Sequence, residues 1–115
     1  MSTAPWRRVI VEQLGMLASE AEQLGYERRV PHVDITKELV CGWFDDSYHP
    51  KDIHFCSCFT HTELDALAEF DAVFEQCIPD LPKSEGTILS WHSCMAWRKV
   101  MAAADTMLSR FSLKR

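Results

Sequence analysis

Apolar residues recur at three- and four-residue spacing in four separate stretches of this chain, and that period commits the backbone to helices that each bury one face. Over residues 5–24 the stripe is Trp6, Val9, Ile10, Leu14, Leu17, Ala21 and Leu24. Pro5 suits a first helical turn, where its missing N–H is no loss, and Gly25 supplies a stop. Gly15 lies inside the stripe and weakens it by about 1 kcal/mol relative to Ala. Residues 26–33, with Arg28, Arg29 and Pro31, read as a loop. Asp34 then offers a carboxylate to the orphan N–H groups of a second helix. That helix carries Ile35, Leu39 and Trp43 inward, broadened by Val40, Cys41 and Phe44, and should end near Ser47 because Pro50 follows.

Thr60 and Glu63 have the spacing of a capping box. The third helix opens there, with Leu64, Leu67, Phe70, Val73, Phe74, Cys77 and Ile78 on its inner face and Pro79 and Pro82 closing it. Residues 84–92 hold a short helical turn around Ile88 and Leu89. Ser93 is the expected N-cap of the last helix, whose stripe is Trp97, Val100, Met101, Ala104, Leu108 and Phe111, with Lys114 and Arg115 complementing its negative end. Between the second and third helices, residues 53–59 alternate well enough for a short strand or extended loop. The expected fold is therefore all-α, a compact four-helix bundle-like domain over residues 1–115 with a short extended segment within 51–60.

Charge narrows the function classes. The formal net charge is -5, which argues against broad nucleic-acid binding, since that needs Lys and Arg to replace phosphate counterions. Residues 45–80 hold nine acids against one base, Lys51, a formal charge of -8, whereas residues 98–115 carry +4. Asp65, Glu69, Asp71 and Glu75 fall outside the apolar stripe of the third helix and should face water. Such a surface attracts a basic partner and repels acidic competitors, although a solvated helix face explains a charge run just as simply. Trp43, Phe44 and Tyr48 lie beside Asp45 and Asp46, so Trp43 or Tyr48 could anchor a partner inside an acidic rim.

Catalytic and metal-binding readings fare less well. His54, Cys56, Cys58 and His61 supply the ligand types of a tetrahedral zinc set, with His49 near, but Cys-x-Cys is tighter than the usual C-x₂₋₄-C spacing. The bland alternative is a core edge with the histidines partly exposed. A reactive thiol needs an electropositive setting, yet Asp52, Glu63 and Asp65 flank Cys56 and Cys58. Asp45 and Asp46 lack the rest of a calcium loop. No Gly-rich phosphate loop, nucleophile elbow or His-Glu-x-x-His pair occurs, so neither an enzyme nor a cofactor is expected. The apolar runs are too short for a membrane span or a signal-peptide core. Five cysteines without an export signal are expected to stay reduced, placing the chain in the cytoplasm.

Three segments, Leu39-Val40-Cys41-Gly42-Trp43-Phe44-Asp45-Asp46, Phe59-Thr60-His61-Thr62-Glu63-Leu64 and Trp97-Arg98-Lys99-Val100-Met101, make the chain resemble small bacterial immunity proteins of contact-dependent growth inhibition and related polymorphic toxin systems. The resemblance spans roughly residues 35–111 through a helical pattern, without a diagnostic motif. It implies a cytoplasmic protein that binds and neutralises one cognate toxin, often a nuclease, through a basic surface on that toxin. A small Cys/His metal-binding regulatory module and a helical interaction adaptor are the alternatives.

Overall fold

A computed structural model of the protein describes residues 5–82 and 88–112. The described chain is all-α and bundle-like, and contains no strand. Its helices are α1 (Pro5–Ala18), α2 (Glu20–Arg29), α3 (Ile35–Cys41), a π-helical segment (Gly42–Ser47), α4 (Ile53–Cys56), α5 (His61–Cys77), a 3₁₀ turn (Ile78–Asp80), α6 (Ile88–His92) and α7 (Met95–Ser112).

Helix α7 is the axis of the fold, with α1 and α5 both packed along it. Its inward positions Trp97, Val100, Met101, Ala104, Met107 and Phe111 are all buried. Ile10, Leu14 and Leu17 of α1 are fully buried, each contributing roughly 1.5–3 kcal/mol by leaving water. From α5, Leu67, Phe70, Phe74 and Cys77 close the core. A relay of aromatic rings runs through it: Phe55 to Tyr48, Tyr48 to Trp43, Trp43 to Phe70, Phe70 to Phe74, Phe74 to Trp97 and Trp97 to Trp91. Neighbouring centroids are 4.8–5.9 Å apart, within the range where edge-to-face pairs add to plain burial.

The expected first helix over residues 5–24 is two helices. The chain breaks at Ser19, whose φ of -116° leaves the helical region and whose hydroxyl accepts the Glu22 N–H at 3.1 Å. Helix α2 therefore starts afresh in another direction, which leaves Ala21 exposed and carries the helix past Gly25 into the segment read as a loop. The turn also places Gln23 in the core. Its amide N–H groups donate to the carbonyls of Met16 and Leu17 at 2.9 and 3.0 Å, holding the end of α1. Its oxygen accepts from Trp97 Nε1 at 3.2 Å and from His92 Nε2 at 2.8 Å. Because an indole N–H can only donate, the atom it meets is the amide oxygen, and His92 must then carry its proton on Nε2. One side chain thus joins α1, α2, α6 and α7. Glu27 adds a second tie by accepting the Ile88 N–H at the start of α6.

Three further expectations change. The extended segment over 53–59 is instead the short helix α4, because the Asp52 carboxylate accepts the N–H groups of His54 and Phe55 and nucleates a turn. Ser93 does not cap the last helix. Its hydroxyl donates back to the Ser90 carbonyl, and α7 begins at Met95. The second helix does end at Ser47, but its last six residues are π-helical, closed by the Tyr48 N–H on the Trp43 carbonyl. Asp34 caps α3, and the Thr60–Glu63 capping box opens α5 with both reciprocal bonds formed. The start of the helical turn expected over 84–92, and the expected role of Lys114 and Arg115, fall outside the described residues.

Candidate protein-binding surface

Helix α5 buries one side and presents the other to water. At 3.6 residues per turn, Asp65 and Glu69 run down one flank of its outer arc, and Asp71 and Glu75 run down the other. Exposed Ala68 and Ala72 lie between the two rows. The result is a shallow, small-residue strip edged by carboxylates on a rigid element. Rigidity follows from the ends: the capping box locks the first turn, and Glu63 is further clamped by Arg7, whose Nη1 lies 2.7 Å from its carboxylate. The Arg7 guanidinium also sits over the Phe59 and Phe111 rings, tying α1 to the start of α5 and the end of α7.

Among the described residues the ion pairs join Arg7 to Glu63, Arg8 to Glu12 and Arg98 to Glu20. None of them uses Asp45, Asp46, Asp65, Glu69, Asp71 or Glu75. Arg110 lines a recess with Glu69 without forming an ion pair. Among the described residues these carboxylates are therefore not neutralised by an ion pair, although Asp71 accepts the Trp43 indole N–H.

Trp43 is withdrawn from the surface. It is fully buried, with its indole N–H donating to Asp71 at 2.9 Å and its ring edge-on to Phe70. An anchor must be reachable, so Trp43 is a core residue that positions Asp71. Tyr48 stays half-buried, stacked on Trp43 with ring centroids 5.0 Å apart. Burial, and then the Asp71 charge, push its phenol above the ordinary tyrosine value, so it remains a neutral donor at the edge of the acidic arc.

Asp45 and Asp46 are exposed on the π-helical segment. Asp45 lies by Cys41, and burial followed by that carboxylate raises the Cys41 thiol pKa, which suppresses its nucleophilic form. Asp46 lines a cleft that it shares with Glu12 and Glu38. Sequence reasoning passed over that cleft. Its one trace in the sequence is Gly42, an unexpected glycine within an apolar helical stretch.

The four candidate zinc ligands do not converge. Among the described residues no group of three or more His, Cys, Asp or Glu could hold a metal ion. The Cys56 thiol points to the Pro50 carbonyl at 3.2 Å and the Cys58 thiol to the His54 carbonyl at 3.4 Å, while His54 and His61 are exposed. Helix α4 is the cause: an extended strand would have put His54, Cys56 and Cys58 on one face, and a helical turn spreads them. No helix among the described residues is long and apolar enough to cross a membrane. No protein-family model matches the chain, and neither does any curated protein or solved structure.

Proposed function

We propose that this protein is a stoichiometric inhibitor of the immunity type, binding one cognate protein toxin through the acidic outer arc of α5 in the cytoplasm. The observation that carries the reading is the arc itself. Asp65, Glu69, Asp71 and Glu75 flank exposed Ala68 and Ala72, free of ion pairs among the described residues. A nuclease toxin grips phosphates with Lys and Arg, so a helix edged by carboxylates can occupy that cleft and hold substrate off. The alanine strip lets the partner backbone come close, and the fixed carboxylates steer encounter. Tyr48 stands at the rim as the accessible aromatic.

The test is direct. The purified chain is mixed with a toxin encoded beside its gene, and the mixture is analysed by light scattering and by a toxin activity assay. A 1:1 complex with loss of toxin activity is expected, its affinity falling steeply with salt. The double variant E69K/E75K should weaken the complex at least a hundredfold. Absence of a complex together with persisting toxin activity defeats the proposal.

A further inference from the structure

A second group of acids, apart from those of α5, lines the cleft that Asp46 borders. The cleft has a volume of about 370 Å³ and lies where α1, α2, α3 and the π-helical segment meet. Its floor is apolar, made by Val9, Met16 and Leu39, and its rim carries Glu12, Glu38 and Asp46 with no Lys or Arg among the lining residues. Glu12 does meet Arg8 at 3.7 Å, with both side chains in water, a contact of little strength that a better partner displaces.

The π-helical segment shapes this cleft. With hydrogen bonds five residues apart, positions i, i+4 and i+5 share a face, and Gly42, Asp46 and Ser47 all line the cavity. Such segments are rare and occur often at functional sites. Gly42 also makes room: a Cβ there would stand 2.9 Å from the Gln13 side-chain amide. Gln13 consequently rests against the backbone, and its half-buried amide makes no hydrogen bond among the described residues, leaving an acceptor at the cleft wall.

We infer that this cleft receives a single long cationic side chain, Arg or Lys, from the protein partner; the inference rests on the reading above that the partner is basic. The aliphatic stem lies on Val9, Met16 and Leu39, as such stems do on apolar surface. The charged head meets Glu38, Asp46 and Glu12, and a guanidinium finds the Gln13 amide oxygen as a further acceptor. A charge-lined pocket filled by one arginine is the sort of contact that dominates an interface. The α5 arc steers the partner, and the cleft holds it in register.

The experiment uses the full ¹⁵N-labelled chain titrated with acetyl-Gly-Arg-Gly-amide and, separately, with its uncharged citrulline counterpart. The arginine peptide should give saturable shifts at the amides of Gln13, Leu39, Gly42 and Asp46, and the citrulline peptide should not. The pair Glu38→Gln and Asp46→Asn, both at exposed positions and checked by an unchanged spectrum elsewhere, should weaken binding about tenfold. Glu69→Gln with Glu75→Gln should leave it within about twofold. Equal shifts with both peptides, or shifts that follow α5 rather than the cleft, overturn the inference. If those α5 variants impair toxin binding while no peptide enters the cleft, the cleft is refuted and the inhibitor reading stands. Peptide binding without any toxin complex supports the cleft and refutes the inhibitor.

Discussion

Replacing Gln23 by leucine tests the account of the core most severely. Gln23 is fully buried and makes four hydrogen bonds, two as donor to the end of α1 and two as acceptor from α6 and α7. Leucine fills nearly the same space and removes all four. A buried donor left without a partner costs about 1–3 kcal/mol. The Trp97 indole pays that in full, since it can only donate. His92 escapes part of it by moving its proton to Nδ1. The Met16 carbonyl still receives the Ser19 N–H at 3.4 Å, so the end of α1 loses less. The expected net loss is about 3 kcal/mol, a large fraction of the 5–15 kcal/mol typical of a domain. Urea unfolding followed by tryptophan fluorescence measures it as a lower midpoint at unchanged slope. A loss under about 1 kcal/mol would mean that the four bonds do not organise α2, α6 and α7, and the argument for Gln23 as the joint of the fold would fail.

Burial, opposed by Glu20 and Glu27 and assisted by Arg98, holds the His92 pKa below its ordinary value of 6.5. The unfolded chain then binds more protons than the folded one below that pH, so the stabilisation is complete above pH 6.5 and declines as the pH falls through the folded value; His92→Gln should flatten this limb relative to wild type in pH-dependent urea melts. Asp34 is shifted downward, chiefly by the hydrogen bond from Thr36, so its contribution is present above 3.8 and lost in acid. Asp34→Ala should cost about 1 kcal/mol at neutral pH, the usual value of an N-cap, and less in acid, as thermal melts at the two pH values would register. Asp71→Asn removes a charge that raises the Tyr48 pKa but leaves burial in place, so ultraviolet titration in a Tyr26→Phe background should find the phenol shifted down, and an unchanged curve would remove Asp71 from its surroundings.

Much of the architecture is legible from the order of residues alone, and the misses have local causes. Most of the inner faces of α5 and α7 follows from spacing because both helices are long, so period and burial largely coincide. Among the exceptions are Ile78, which lies past the end of α5 and is exposed, and Leu108, which is half-buried while Met107 is buried. The Thr60–Glu63 box and the Asp34 cap are legible because they close within a few residues. The break at Ser19 was also written locally, in Ser19 followed three residues later by Glu22, but the continuing apolar stripe hid it. The candidate surface divides the same way. Asp65, Glu69 and Glu75 face outward as the inward stripe of α5 requires, whereas Asp71, expected beside them in water, is half-buried on the Trp43 indole, and Trp43 looks like an anchor until a second helix covers it.

What the sequence determines here is whatever closes within one or two helical turns: the period, most of the caps, the sign of the charge on each face. The tertiary structure alone decides which polar group is paired inside the core and which acids share a hollow. Gln23 meets Trp97, 74 positions later, and Glu12 and Asp46 line one cleft. Contacts at such separation depend on the angle at which helices cross, and that angle is set by how whole faces pack rather than by any residue read in its own neighbourhood.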